Sequence, residues 1–246
     1  MRWSDEAIVL ATRRHGEGAL LVHLLTLGHG RHAGLVRGGQ RPKARVAYQI
    51  GNRLLVTWSA RLAEHLGTVQ AELAHGYAAA VLAAPVRLAC LAAAAALADA
   101  ALPERAPHPR VYAALVALLE ALAADQGWAT AYVALEMELL AELGFGLDLT
   151  RCAATGETEG LIYVSPNSGR AVSEAAGTPY RDRLLALPPF LCGDGVAPAP
   201  GEVMDALALT GFFLARRVVE PHGHILPAAR ARFVEALQQF VTISGG

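Results

Sequence analysis

The stretch VALEMELLAELGFGLDLTRCAATGETEGLIYVSPNSGRAV, residues 133–172, decides the fold of the later part of this chain. Its first half carries leucines at spacings of three and four residues, which predicts an amphipathic helix. The polar positions of that helix are Glu136, Glu138 and Glu142, and we expect Glu136 and Glu142 to face solvent. Gly144 and Gly146 are suited to end the helix, because glycine accepts the left-handed backbone that closes a helix.

The second half of the stretch, residues 146–172, predicts a compact hairpin of the zinc-knuckle type. A structural zinc site takes about four ligands, whereas Cys152 is the only cysteine of this segment. The other two, Cys90 and Cys192, are distant in sequence, and three widely spaced cysteines do not indicate a disulfide framework. We therefore expect a knuckle-like hairpin that lacks the metal ligands, and no cofactor.

The N-terminal part has the pattern of a small β-barrel. Five apolar runs of strand length are separated by polar, glycine-containing turns, at residues 7–11, 19–27, 32–37, 54–58 and 65–73. Five short strands in about seventy residues suit a closed barrel, the OB-fold among them. The glycines and proline of residues 38–45 exclude regular structure there, and predict a semi-rigid loop.

After residue 76 the hydrophobic period becomes helical. Alanine- and leucine-rich helices are predicted at residues 77–84, 86–102, 110–124, 130–143, 203–219 and 228–243. A short helix is expected at 179–187, and a proline- and glycine-rich loop at 193–201. The predicted fold class is α+β: a five-stranded OB-fold barrel at 1–76, followed by an α-helical domain at 77–246 that contains the knuckle.

Charge is distributed unevenly along the chain. Residues 1–61 hold ten Lys/Arg and three Asp/Glu, a net charge of +7, and the remainder has a net charge of −8. Such asymmetry points to nucleic acid if the charges share one face. No apolar run reaches the ~20 residues of a membrane span, and the N-terminus has no apolar signal segment. We expect a cytoplasmic protein without a membrane partner.

Motifs for catalysis are absent from the sequence. It has no Walker-type phosphate loop, no nucleophile elbow and no His-Glu-x-x-His helix. His222 and His224 are more often a turn pair than metal ligands, and no carboxylate cluster supports a metal-dependent nuclease. We predict a protein that is not an enzyme and has no small-molecule substrate.

Basic residues cluster in the turns of the predicted barrel. Those that could line one groove and neutralise phosphates are Arg13, Arg14, Arg31, Arg37, Arg41, Lys43 and Arg45. Trp58 and Tyr48 are candidate platforms on which bases stack. Packing of either ring inside the barrel is the alternative, and for Trp58 the more frequent one.

The sequence resembles a known family at this point. AIVLATRRHGEGALLVHLLTLGHGRHAGLVRGGQRPKAR (7–45) looks like the N-terminal OB-fold of RecO, a family of recombination mediators. ELLAELGFGLDLTRCAATGE (138–157) and YVSPNSGRAV (163–172) look like its central helix and knuckle. The resemblance implies binding to single- and double-stranded DNA, annealing of complementary strands and a place at the nucleoid. It also implies cooperation with RecR and the single-strand-binding protein SSB to load the recombinase RecA.

Two features of the later helices concern partners. Some relatives carry arginines just before the central helix's Phe-Glu, where this chain has residues 132–136, YVALE. An SSB tail, which is acidic and apolar, would need an apolar cleft with arginines. Phe212, Arg216 and Arg217 are the candidates, although these helix residues also fit a core stretch with a solvated edge. A barrel that docks a protein partner, with an incidental basic surface, is the alternative function.

Overall fold

A computed structural model describes residues 1–62, 64–193 and 198–244 of the chain. It divides into two compact units. The first unit consists of Met1–Trp128 and Pro227–Phe233, and the second of Ala129–Leu226 together with the chain from Val234 onward. The first unit therefore extends beyond residue 76, where the barrel was predicted to end.

Five strands of the first unit form a closed barrel in the order β1-β2-β3-β5-β4. They are β1 (Arg2–His15), β2 (Ala19–Thr26), β3 (Gly30–Val36), β4 (Arg53–Ser59) and β5 (Gly67–His75). All pairs are antiparallel except β3–β5, which closes the barrel in parallel through Gly34 opposite Gly67. A five-stranded barrel followed by helices confirms the predicted α+β fold with an OB-like first part.

Trp58 packs inside the barrel and is 1% exposed. Its indole Nε1 donates a hydrogen bond to the Ala33 carbonyl at 3.1 Å. A Cβ added at Gly67 would come within 2.2 Å of the Trp58 ring, and one at Gly34 within 2.5 Å of Val69. The closing strand pair therefore has glycines because the central side chains occupy the space that Cβ atoms would need.

The segment after β3 differs from its prediction. Residues 38–45 were expected to lack regular structure, but α1 (Pro42–Ala47) begins inside them. Pro42 is the first helical residue, where its fixed φ suits the helix and its missing N–H costs no intrahelical bond. The prediction treated this proline as a helix breaker, and its position at the N-terminus reverses that effect.

Three further helices belong to the same unit as the barrel. They are α2 (Tyr77–Val81), α3 (Pro85–Ala101) and α4 (Pro109–Ala124). The Asn52 side chain, 2% exposed and directly before β4, connects α2 to the barrel: its Oδ1 accepts the Ala78 N–H at 3.0 Å. Its Nδ2 donates to the Val46 carbonyl at 2.9 Å, which ties the end of α1 to the start of α2.

The remaining elements follow from α5 (Trp128–Glu142), after which Gly144 has a φ of +85° as predicted for the residue that ends the helix. A small sheet has the order β7-β6-β8, and α7 continues directly into a π-helical turn. These elements are β6 (Leu161–Val164), β7 (Ala171–Ser173), α6 (Glu174–Gly177), β8 (Leu185–Ala186), α7 (Pro200–Phe213), the π-helical turn (Leu214–Val219) and α8 (Ala228–Ser244).

Two predictions between β7 and α7 need correction. The short helix expected at 179–187 is a 3₁₀ helix, Thr178–Arg183, followed by strand β8, which pairs with β6. The pairing of β8 with a strand distant in sequence decides its extended form. The loop expected at 193–201 lies partly outside the described residues, which omit 194–197, and its last residues start α7 at Pro200.

Glu136 lies inside the second unit, and the prediction that it faces solvent is wrong. The residue is 0% exposed, and the Thr210 hydroxyl of α7 donates to its Oε2 at 2.5 Å. A buried carboxylate requires hydrogen-bond donors, and Thr210 supplies one from 74 residues away. Helical periodicity alone could not find this partner.

Among the helices of the described residues, none combines the length and the apolar character that crossing a bilayer demands.

Candidate nucleic-acid interface

A hydrogen-bonded junction joins the β1–β2 turn to the segment between β3 and α1. The Gln40 Nε2 donates to the Gly16 carbonyl at 3.0 Å and to the Ala19 carbonyl at 2.9 Å. The Gln40 backbone N–H donates to the Gly18 carbonyl at 3.3 Å. These bonds hold two segments that are separated in sequence at the same end of the barrel.

Six of the seven predicted basic residues have exposed side chains and lie on these two segments or on the ends of β1 and α1 that adjoin them. We call them the cationic end: Arg13, Arg14, Arg37, Arg41, Lys43 and Arg45. Within residues 13–19 and 37–45 the only acidic residue is Glu17. None of the six forms an ion pair with another residue that the structure describes. Their charges are therefore available to an external anion.

Two consecutive glycines shape the cationic end. Gly38 has a φ of +68°, and a Cβ there would lie 3.5 Å from Arg41 Nε, so the Arg41 side chain passes over it. A Cβ at Gly39 would lie 3.0 Å from side-chain atoms of Leu20 and Val36. The backbone thus turns and packs closely on the barrel here, which larger residues would obstruct.

Arg31, the seventh predicted basic residue, lies elsewhere and is already paired. Its side chain is 16% exposed, its Nε donates to the Leu102 carbonyl at 2.8 Å and its Nη1 to Asp99 Oδ1 at 3.2 Å. Glu104 lies 3.5 Å from Nη2. The prediction that Arg31 contacts phosphate therefore needs correction, because its charge is neutralised by α3 and the residues after it.

The predicted stacking platforms are also inside the protein. Trp58 is 1% exposed and Tyr48 is 6% exposed. Burial raises the pKa of the Tyr48 hydroxyl, partly offset by a hydrogen bond with Ala71. Neither ring offers a face to a base, so the alternative of barrel packing holds for both, and the surface of the cationic end is charged rather than aromatic.

The Asp99 side chain connects α3 to two strands of the barrel. Its carboxylate lies 2.8 Å from His23 Nδ1 on β2 and 3.2 Å from Arg31 Nη1 on β3. Burial raises the pKa of the Asp99 carboxyl, but hydrogen bonds and charge from His23 and Arg31 outweigh it and leave the pKa below its ordinary value. The basic residues of the barrel therefore divide into those that pair with carboxylates inside the first unit, such as Arg31, and the exposed ones of the cationic end.

Two of the three predicted partner residues, Arg216 and Arg217, line a pocket of the second unit. The pocket encloses about 470 Å³ and is lined by Phe145, Pro166, Asn167, Arg216, Arg217, Pro221 and His222. Arg216 is exposed, with its guanidinium carbon 5.7 Å from the centre of the Phe212 ring, and Arg217 donates to the Asn167 carbonyl. Phe212 itself lies beneath Arg216 and outside the lining.

Phe145 is the apolar residue of this pocket that sequence reasoning missed. It is 38% exposed and stands between Gly144 and Gly146, which were interpreted only as the end of a helix. A large aromatic residue immediately after a helix-ending glycine was the available signal. The π-helical turn after α7 carries both arginines of the pocket, and such turns are frequent at functional sites.

The knuckle hairpin is held by hydrogen bonds. Asp148 forms an ion pair with Arg170 at 3.3 Å, and its backbone carbonyl accepts the Ala171 N–H at 2.9 Å. Burial raises the pKa of the Cys152 thiol, but hydrogen bonds with Ser173 and Thr155 outweigh it and lower the pKa to about 6. Over the described ranges, no group of three or more His, Cys, Asp or Glu is arranged to hold a metal ion.

These features define an α+β protein built on an OB-like barrel whose one end is exposed and cationic. A family model described as Recombination protein O N terminal matches residues 1–77, and another, Recombination protein O C terminal, matches residues 82–224. The chain belongs to the recombination protein O (RecO) family, which confirms the resemblance noted in the sequence.

Similar proteins cover at least 96% of the chain. A DNA repair protein RecO of Rhodospirillum centenum is 54% identical over 247 residues, covering 100% of this chain and 98% of that protein. The DNA repair protein RecO of Rhodospirillum rubrum is 52% identical over 246 residues, covering 98% of each. That of Rhodopseudomonas palustris is 50% identical over 242 residues, covering 96% of each.

Proposed function

We propose that this protein acts in DNA repair and homologous recombination by binding single- and double-stranded DNA at the cationic end. The observation that carries this proposal is the gathering of six exposed cations beside the Gln40 junction, none of which pairs with an acidic residue in the described part of the chain. Membership in the RecO family and similarity to DNA repair proteins support it. The protein works in the cytoplasm, at the nucleoid.

The activity follows from phosphate neutralisation. Cationic side chains displace the counterions of a strand, and phosphate contacts are independent of base sequence. Charge on the protein also reduces the repulsion between two strands held near each other, so that complementary bases pair and annealing is accelerated. Base pairing supplies the specificity, and the protein supplies local concentration. This role requires no bond-making residue, in keeping with a protein that is not an enzyme.

The decisive variant combines Arg41→Ala, Lys43→Ala and Arg45→Ala. Loss of three phosphate contacts should weaken oligonucleotide binding equally for different sequences and flatten the log–log salt slope by about two units, at ~0.7 per contact on single strands. Annealing should slow in parallel. Fluorescence polarisation of a labelled oligonucleotide across a salt series measures affinity and slope together.

A matched control removes the same charge from the other unit. Arg151, Arg181 and Arg183 are exposed, and their combined replacement by alanine should leave affinity and slope unchanged. If the cationic-end variant also retained full affinity and slope, the barrel would dock a protein partner instead of DNA. Denaturation curves of both variants should match that of the native protein, since an exposed charge changes the free energy of unfolding by no more than about 0.5 kcal/mol.

We further propose that the protein cooperates with RecR and SSB in loading the recombinase, and that the pocket beside Phe145 binds the SSB tail. An exposed aromatic ring and two arginines suit a peptide that ends in apolar and acidic residues. Replacing Arg216 and Arg217 together by alanine should weaken binding of a labelled tail peptide about tenfold or more. The Arg181 and Arg183 double-alanine variant is the control, and equal affinities would remove this pocket as the tail site.

A further inference from the structure

A second concave surface lies in the first unit, beside the cationic end. This α1–α3 groove encloses about 660 Å³, a volume typical of ligand-binding clefts, which span ~300–1,000 Å³. Its lining comes from β1, β2, α1 and the segments beside it, α2 with the residue that follows it, and the first half of α3. Val46 is 57% exposed, Leu82 59% and Leu88 39%. Large apolar side chains therefore face solvent on several elements that surround one cleft.

The groove is preformed. The buried Asn52 amide joins its two sides, since Nδ2 bonds the Val46 carbonyl and Oδ1 accepts the Ala78 N–H. Below it, Gly51 has a φ of +85°, and a Cβ there would come within 2.4 Å of Leu91 in α3. Barrel and helices are thus in direct contact under the groove. A site whose walls are already fixed loses little entropy when it is occupied.

The charge of the groove indicates its occupant. Arg14 and Arg45 line it together with apolar residues, and no Asp or Glu stands among the described residues of its lining. Apolar surface with cations of one sign complements a segment that carries apolar side chains flanked by carboxylates. We propose that the α1–α3 groove binds such an acidic, apolar peptide segment of a partner protein.

Two arginines belong to both surfaces. Arg14 and Arg45 line the groove and are members of the cationic end. A peptide that pairs its carboxylates with them withdraws two charges from phosphate, so peptide and DNA compete for the barrel. This competition rests on the DNA binding proposed above, whereas peptide binding does not. The groove would then couple engagement of a partner protein to release of DNA.

The test uses the full-length protein and a short fluorescent peptide in which leucine and phenylalanine alternate with aspartate and glutamate. The groove variant combines Leu82→Ser and Leu88→Ser. The control combines Leu55→Ser and Leu73→Ser, which are 51% and 45% exposed but lie outside the groove. We expect the groove variant to bind the peptide about tenfold more weakly and to keep its affinity for an oligonucleotide. The control should keep both affinities.

The outcomes separate the two proposals. An unlabelled peptide should displace a labelled oligonucleotide from the native protein, and a version with asparagine and glutamine should not. Absence of peptide binding, or equal affinity in the groove and control variants, overturns the groove proposal. Loss of binding in the Arg216 and Arg217 variant alone would place the peptide in the other pocket and also overturn it. If Arg14→Ala with Arg45→Ala abolished peptide binding but spared oligonucleotide binding, the groove would stand and its competition with DNA would be overturned.

Discussion

Thr210 and Glu136 meet inside the second unit, where a hydroxyl from α7 reaches a carboxylate of α5. Neither residue has an unusual neighbour in sequence, and each alone fits a solvated helix face. Both residues are buried, and the Thr210 hydroxyl donates to Glu136 where water would be the donor on an exposed helix face. At this scale, a donor from 74 residues away helps to satisfy a buried carboxyl group, because an unsatisfied buried polar group costs more than a lost bond.

Thr210→Val should therefore destabilise the protein. The substitution keeps the shape of the side chain but removes a donor to the Glu136 carboxylate, and we expect the free energy of unfolding to fall by about 1–3 kcal/mol. Chemical denaturation followed by circular dichroism measures the change. Thr242→Val is the control, because the exposed Thr242 hydroxyl donates to the Gln238 carbonyl one helical turn earlier. Its loss should change the free energy of unfolding by no more than about 0.5 kcal/mol. Equal effects of the two substitutions would contradict a specific role for the buried pair.

Arg31 and Arg41 show the same principle for cations. Both are arginines in turns or strand ends of the same barrel, and the sequence assigned both to phosphate. Arg31 is enclosed by Asp99, Glu104 and a backbone carbonyl, whereas Arg41 is exposed above Gly38. Availability of a charge depends on partners that approach in three dimensions, so counts of arginine overestimate a binding surface.

At the scale of elements, α3 is attached to the barrel by Asp99. Helix propensity explains why the alanine-rich segment is helical. The apolar residues of α3 are spread nearly evenly around the helix, so they do not determine which face packs on the barrel. The Asp99 carboxylate, placed between His23 and Arg31, provides a specific attachment to β2 and β3.

The low pKa of Asp99 gives this attachment a pH dependence. A carboxyl whose folded-state pKa lies below its unfolded value of ~3.9 stabilises the fold above that value, and the contribution is lost as pH falls through the folded pKa. Asp99→Asn should therefore lower the free energy of unfolding at neutral pH, and the difference from the native protein should shrink below about pH 4.

Urea denaturation across a pH series checks the Asp99 prediction. The control is Asp182→Asn, whose side chain is 93% exposed beside Arg181, and which should change stability little at any pH because exposed ion pairs are screened. The free energy of unfolding of Asp99→Asn is compared with that of the native protein at each pH. If this difference stayed constant from neutral pH to well below pH 4, the ionised form of the Asp99 carboxyl would not be what stabilises the fold.

Helix α1 shows how an element can differ from its expected class and still serve the predicted role. Residues 38–45 were predicted as a loop that projects basic side chains. The structure contains a six-residue helix, with Pro42 as its first residue, and Lys43 and Arg45 remain exposed on it. A helix fixes the spacing of these cations more firmly than a loop, and the same helix contributes Val46 to the adjacent groove.

At the scale of the whole molecule, charge is segregated along the chain. Residues 1–61 have a net charge of +7 and the rest −8. The fold modifies this charge distribution: Arg31 and Arg53 are paired with carboxylates. Six of the remaining cations, the cationic end, lie on or beside the two segments that Gln40 joins. The resulting surface gives the proposed DNA interface a defined location, with the α1–α3 groove beside it.

The sequence by itself predicted the five barrel strands, most of the helices, the family and the basic residues that form the cationic end. Hydrophobic period, glycine turns and clustered charge are local properties, so they are readable without tertiary contacts. The burial of Trp58 and Glu136, the pairing of Arg31 and the pairing of β8 with β6 were decided only by the tertiary structure. Their partners lie far along the chain, 68 residues from Arg31 to Asp99 and 74 from Glu136 to Thr210, and no local pattern specifies which distant groups a side chain will meet.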